Sequence, residues 1–161
     1  AVKDGLIDLD HSIQIGIRTI ATNDYGIEIL HALDVEEMAA NEVAARILER
    51  TGGQKTYLTF DIDCLDPAFA PGTGTPEIGG FTTYEAQQML RGLQGLNLIG
   101  GDVVEVAPPF DPSGNTALMW WKSRPPMTTV TSPRSPGQQS RCICSACWRD
   151  DDDAEYVAHS L

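Results

Sequence analysis

Apolar and polar residues follow patterns that predict strands and helices in turn. Apolar residues occupy every second position of residues 12–18, which predicts a β-strand. In residues 34–50 they recur at helical spacing, and Gly52 and Gly53 directly afterwards end the predicted helix. Residues 83–93 predict a second helix, with Thr82 or Thr83 as its cap. The pattern of residues 22–33 decides for neither a helix nor a strand.

Two further strands complete the pattern. Residues 56–63 contain the strand-favouring Tyr57, Leu58 and Phe60, and residues 97–106 form a largely apolar run. Strands that alternate with helices pack as a parallel sheet whose faces the helices cover. The sequence therefore predicts an α/β fold.

Two carboxylates stand at the end of the strand predicted over residues 56–63. A strand points successive side chains to opposite faces, so Asp61 and Asp63 should share one face and Phe60 and Ile62 the other. Carboxylates held this close repel each other, and burying them without a cation is costly. Oxygen ligands suit Mg²⁺, Mn²⁺ or Ca²⁺, and a nearby histidine would favour a transition metal. The spacing thus indicates a metal site.

Simpler explanations of this acidic segment compete with a metal site. A single aspartate after a strand is usually a solvated loop residue or a helix N-cap. An EF-hand loop is excluded, because position six counted from Asp61 is Asp66 rather than glycine, and position twelve is Gly72 rather than glutamate.

The residues after Asp61 narrow the choice. Residues 59–80 resemble a signature of the ureohydrolases, the family of arginase, agmatinase, guanidinobutyrase and proclavaminate amidinohydrolase. The segments 77–80 and 105–111 are more similar to the agmatinase side of that family than to arginase. The resemblance covers residues 4–118 and corresponds to the second half of a family domain.

The resemblance implies a fold and a reaction. The fold is a three-layer α/β/α sandwich with a mainly parallel sheet, present here as a partial domain over residues 1–118. The reaction is manganese-dependent hydrolysis of agmatine or a related guanidino compound to urea and an amine by a metal-bridging hydroxide. Such enzymes act on a small substrate, form homo-oligomers and work in the cytoplasm.

The resemblance also implies roles for particular residues. Asp61 would bridge two Mn²⁺ ions and Asp63 would bind one of them. Glu105, which the apolar run around it predicts to be buried, would bind the substrate guanidinium, with Thr75 as a further substrate-binding residue. Thr75 and Asp66 would also shape the loop beside the metal.

Family motifs that supply the remaining metal ligands and the proton-transfer histidine are absent from this sequence. Val103 stands where the G-G-D-H motif would have its histidine, and no D-A-H-x-D cluster occurs. We therefore assign no catalytic residue and predict an inactive fragment of an enzyme. The alternatives are a non-catalytic remnant or subunit-interaction module of the same fold, and a different D-x-D metal enzyme such as a phosphatase or glycosyltransferase.

The composition of the chain limits the classes of molecule that it is expected to bind. The net charge is −12, all of it within residues 1–118, which argues against nucleic-acid binding and suits cationic substrates or metals. No run approaches the roughly 18 apolar residues of a membrane span, and no signal peptide is visible. Cys64 is expected to be a reduced thiol, as in the cytosol.

The character of the sequence changes after Leu118. Residues 119–161 lack apolar periodicity, and we predict that they form a disordered, non-family tail, which a shifted reading frame would explain. Their C-x-x-C pair and His159 are too few ligands for a zinc site. Before the tail, Arg18 is expected to be a structural ion-pair partner and His31 a packed side chain.

Overall fold

A computed structural model describes residues 2–19, 24–123 and 141–144 of the chain. Within these ranges the strands are β1 Ile13–Ile17, β2 Glu28–His31, β3 Thr56–Asp61, β4 Leu98–Val104 and β5 Arg141–Cys144. The α-helices are α1 Ala32–Glu36, α2 Ala40–Thr51, α3 Thr83–Gly92 and α4 Asn115–Ser123.

The strands form one sheet in the order β2-β1-β5-β3-β4, and each pair of neighbours is parallel. The pairing of β3 with β4 continues to their carboxyl ends, where Asp61 lies opposite Val104. The predicted parallel α/β sheet is therefore confirmed.

The hydrophobic core joins the sheet to the helices. Alternate residues of the strands, including Ile13, Leu58 and Phe60, share this core with Val43 of α2 and Leu90 of α3. Each is less than one-tenth exposed. Burying a side chain of this size contributes about 1.5–3 kcal/mol, so this packing stabilises the sheet that carries the strand ends.

The helix predicted over residues 34–50 is two helices, and its predicted start at Asp34 is wrong. Asp34 lies inside α1, where its carboxylate accepts a hydrogen bond of 2.9 Å from the backbone N–H of His31. The chain is then extended at Ala39, which precedes α2. The backbone N–H of Ala39 donates a hydrogen bond of 2.8 Å to the carboxylate of Glu42 in the first turn of α2. Two acidic residues each satisfy a free N–H at a helix start, so the segment divides.

The cap of α3 agrees with its sequence. Thr82 precedes the helix; its hydroxyl accepts 3.2 Å from the backbone N–H of Glu85, and the Glu85 carboxylate accepts 2.8 Å from the backbone N–H of Thr82. This reciprocal pair is a capping box. Residues 22–33, which the sequence left undecided, contain β2.

Residues 119–123 and 141–144 are the described parts of the tail predicted from residue 119. Helix α4 continues through Ser123, and Met119 on it is only 5% exposed within the core. Strand β5 lies between β1 and β3 and pairs with both. An extended segment between two strands forms backbone hydrogen bonds on both sides, whatever the pattern of its side chains. The hydrophobic periodicity of the sequence therefore cannot predict such a strand.

Two other expectations from the sequence concern a membrane span and a zinc site. In the described part of the chain, none of the helices combines the length and the apolar character that crossing a membrane requires. The C-x-x-C pair and His159 fall where no side chain is described.

Candidate metal and substrate site

The candidate site lies at the carboxyl edge of the sheet, where β3 and β4 end side by side. Asp61 is the last residue of β3 and lies opposite Val104, the last residue of β4. Glu105 directly follows Val104. The carboxyl ends of parallel strands are where α/β proteins bind their ligands. The sheet therefore brings the three acidic residues singled out from the sequence, Asp61, Asp63 and Glu105, to one edge.

Asp61 and Asp63 are joined by a turn rather than by a continuing strand. The chain leaves β3 at Asp61 and forms a single 3₁₀ turn over Ile62–Cys64. The backbone N–H of Asp63 donates a hydrogen bond of 3.1 Å to Oδ1 of Asp61. Strand alternation was therefore the wrong reason for their proximity, and Asp61 is also the N-cap that the simpler explanation proposed. We call residues 61–64 the carboxylate turn.

Both carboxylates of this turn are buried. Asp61 and Asp63 are each 3% exposed. Burial raises the pKa of Asp61 to about 8, and the negative charges of Asp63 and Glu105 add to the rise. A bound divalent cation would favour the ionised form and reverse this shift.

The long loop after the turn folds back onto it. The Thr75 hydroxyl donates a hydrogen bond of 3.1 Å to Oδ2 of Asp63. Asp66 accepts 2.9 Å from the backbone N–H groups of Ala68 and of Gly79, and these bonds lower the pKa of Asp66. A Cβ at Gly80 would lie 2.5 Å from the backbone N of Asp66, so only glycine fits there. The hydrogen bonds of Thr75 and Asp66 thus hold the loop against the carboxylate turn.

Glu105 is placed differently from its sequence-based prediction. It lies one residue beyond β4, it is exposed rather than buried, and its φ is +62°. A positive φ is rare for a residue with a side chain and usually marks a constrained position. The strand ends at Val104, so the apolar run around Glu105 does not bury it.

Arg18 is a structural residue, but its partners differ from those expected. Its guanidinium Nη1 donates 2.9 Å to the carbonyl oxygen of Cys64, and Nη2 donates to that of Asp63. These acceptors are backbone carbonyls and not the predicted carboxylate. The position of Arg18 at a strand end was the only sequence signal for this contact.

The oxygen ligands at the site are of the type that a hard divalent cation prefers, but the described part of the chain offers too few of them to form a complete site. Asp61 and Asp63 offer buried carboxylate oxygens, the ligands that Mn²⁺ and Mg²⁺ accept. His11 contacts Asp8 at 3.2 Å and His31 ends β2, so neither adds to the pair. Nowhere in the described ranges do three or more His, Cys, Asp or Glu residues form a metal-binding group.

Comparisons with other sequences agree on one family. The profile of the Arginase family matches residues 1–122. An agmatinase of Photorhabdus laumondii is 58% identical over 118 residues, which are 73% of this chain and 38% of that protein. An agmatinase of Escherichia coli O9:H4 is 55% identical over 118 residues, 73% of this chain and 39% of that protein.

Solved structures share the fold. The crystal structure of a hypothetical agmatinase from Burkholderia thailandensis has a TM-score of 0.71 and 57% identity, covering 74% of this chain and 38% of that one. Proclavaminate amidino hydrolase from Streptomyces clavuligerus has a TM-score of 0.64 and 38% identity, covering 68% of this chain and 39% of that one.

The relatives establish the family and the fold of the chain. Its fold is the α/β sandwich of these proteins with a parallel sheet, present as a partial domain. The chain spans about two fifths of the length of the relatives that it matches. It is a member of the Arginase family.

Proposed function

We propose that this chain is part of an enzyme that hydrolyses agmatine or a related guanidino compound to urea and an amine. One observation carries the proposal: the buried Asp61–Asp63 pair lies inside a segment that is 58% identical to an agmatinase. A guanidino substrate is cationic, which suits an edge of the sheet lined by carboxylates.

We propose Mn²⁺ as the cofactor, which Asp61 and Asp63 would hold in the complete protein. When bound, such ions supply an activated water for attack on the guanidinium carbon. The Thr75 hydroxyl donates a hydrogen bond to Oδ2 of Asp63 and so supports its carboxylate. The remaining ligands would come from residues outside the described ranges of this chain.

Substrate binding is proposed for Glu105 and Thr75. Glu105 is exposed at the carboxyl edge, near enough to Asp61 for its charge to raise the pKa of that residue. A carboxylate accepts two parallel hydrogen bonds from a planar guanidinium. Thr75, through its bond to Asp63, would lie where the substrate meets the metal ligands.

For the chain alone we propose no turnover. The described ranges hold two buried carboxylates but no larger ligand group, and so few ligands bind a divalent cation weakly. This observation also favours the second candidate, a non-catalytic remnant or subunit-interaction module. We further propose a cytoplasmic, homo-oligomeric parent enzyme.

A hybrid enzyme tests the proposal. In it, the 118 matched residues of this chain replace their counterpart in the Photorhabdus laumondii agmatinase. Urea release from agmatine that requires Mn²⁺ supports the proposed reaction. A folded hybrid that binds Mn²⁺ but releases no urea from agmatine or 4-guanidinobutyrate would favour the remnant.

The isolated chain is assayed beside the hybrid. Saturated with Mn²⁺, it is expected to release no urea from either compound. Metal-dependent turnover that disappears in Asp61→Asn would contradict the proposal that the chain alone is inactive.

A further inference from the structure

We propose that Arg18 is a positioning residue that fixes the carboxylate turn and thereby sets the arrangement of Asp61 and Asp63 for a divalent cation. The inference rests on the proposed metal site. It assigns to Arg18 no contact with metal or substrate, because its hydrogen bonds are made to the backbone carbonyls of Asp63 and Cys64.

Arg18 connects two strands that do not pair with each other. It directly follows β1, whereas the carboxylate turn follows β3, and β5 lies between these strands. The guanidinium spans this separation and donates to the carbonyls of two consecutive residues, Asp63 and Cys64. A planar guanidinium has donors in a fixed fork, so it holds both peptide groups in one orientation.

The carboxylate turn needs such support. It is one 3₁₀ turn closed by a hydrogen bond of 3.3 Å from the backbone N–H of Leu65 to the carbonyl of Ile62. Hydrogen-bond geometry in 3₁₀ helices is poorer than in α-helices, and they occur only in short pieces. The carbonyl of Cys64 also accepts 3.0 Å from the backbone N–H of Phe81. Arg18 and the loop therefore anchor the turn from two sides.

The guanidinium of Arg18 makes its hydrogen bonds to backbone carbonyls and none to a carboxylate of the turn. Its donors reach carbonyl oxygens, so Arg18 does not use the oxygens of Asp61 or Asp63 that a cation would need. Its Nε is buried and has no hydrogen-bond partner among the described residues. An orphaned donor costs free energy, so the position of the guanidinium follows the carbonyls of the turn rather than its own best pairing.

Arg50 provides a control at the amino end of β1, away from the carboxylate turn. Its Nε donates 3.2 Å to the carbonyl of Ser12, and its Nη2 donates 3.0 Å to that of Leu9. Like Arg18 it clamps two backbone carbonyls, but these precede β1 and lie at its amino end. Arg50 also lies 3.4 Å from the carboxylate of Glu28, so Arg50→Met removes a backbone clamp and an ion pair, whereas only Arg18→Met removes a contact with the carboxylate turn.

The test uses the whole 161-residue chain as wild type, Arg18→Met, Arg18→Lys and Arg50→Met. Amide hydrogen exchange is measured at Asp63 and Leu65 without metal, and Mn²⁺ binding is followed by the electron paramagnetic resonance of the free ion. In Arg18→Met we expect both amides to exchange about tenfold faster and Mn²⁺ to bind about tenfold more weakly, the lower end of losses at supporting residues. Arg50→Met should leave both unchanged, and Arg18→Lys should recover part of each loss.

The two measurements separate the two proposals. Exchange at Asp63 and Leu65 that is equal in Arg18→Met and wild type overturns the positioning role, as does an equal effect of Arg50→Met. If the wild-type chain binds no Mn²⁺, the proposed metal site of the chain fails, and amide exchange alone decides the role of Arg18. Faster exchange with unchanged Mn²⁺ affinity also overturns the inference, because the turn would then not set the site.

Discussion

The backbone N–H of Asp63 lies 3.1 Å from Oδ1 of Asp61, so one carboxylate holds the peptide that carries the other. This bond forms because β3 ends at Asp61 and the chain turns at once. Asp61 therefore caps the turn and faces the candidate site at the same time. Any substitution there changes both the local backbone and the charge of the pair.

We predict that Asp61→Asn lowers the activity of the hybrid enzyme far more than Asp102→Asn. Asparagine keeps the size of Asp61 but loses the negative charge that binds a cation, so the loss of activity should exceed the roughly 10- to 100-fold found at residues that only support metal ligands. Asp102 is the matched control, because its Oδ2 accepts 3.2 Å from the hydroxyl of Tyr57 within the sheet. Steady-state urea release measures both variants, and equal losses would mean that the site lies elsewhere.

We predict that the metal-free chain loses stability as the pH rises. Folding raises the pKa of Asp61 from 3.8 to about 8, mainly through burial. Between these values the folded state keeps a proton that the unfolded state has released, so the contribution is complete below the lower pKa and is lost as the pH rises through the upper one. The free energy of unfolding should fall by at most about 1.4 kcal/mol per pH unit in that window.

Urea unfolding between pH 5 and pH 9 measures this dependence. Asp61→Asn carries no titrating carboxyl and should give a flatter profile, whereas Asp102→Asn should follow the wild type. A wild-type profile that rises between pH 5 and pH 8 would contradict the direction of the Asp61 shift.

The sequence predicted the parallel sheet but not the details of its edge. Alternation placed β1, strand-favouring and apolar residues placed β3 and β4, and the capped run of residues 83–93 placed α3, because each of these elements has apolar side chains in or against the core. The sequence pattern could not show the turn at Asp61, since acidic residues after a strand fit a continuing strand and a capped turn alike. Nor could it show the contact of Arg18 with Cys64, which depends on the order of strands far apart in sequence.

Strand β5 offers a direct test of the tail. Ile143 lies opposite Ile13 on one side and Leu58 on the other, in the middle of the sheet. Ile143→Pro removes a backbone donor between two strands and should destabilise the chain by about 1–3 kcal/mol. Thermal unfolding measures the effect, with Gln139→Pro, which precedes β5, as the matched control. Equal midpoints in both variants and the wild type would show that the tail does not stabilise the sheet.

Two threonines of one loop separate support of the site from stability. The Thr75 hydroxyl donates 3.1 Å to Asp63, whereas the Thr73 hydroxyl is buried without a hydrogen-bond partner among the described residues. In the hybrid enzyme Thr75→Val should weaken Mn²⁺ binding about 10- to 100-fold, because it removes a bond that orients a metal ligand. Thr73→Val removes only an unsatisfied hydroxyl, so it should leave Mn²⁺ binding unchanged and raise or preserve the unfolding midpoint. Calorimetric Mn²⁺ titration and thermal unfolding measure both, and a weaker Mn²⁺ affinity in Thr73→Val than in Thr75→Val would reverse the assignment.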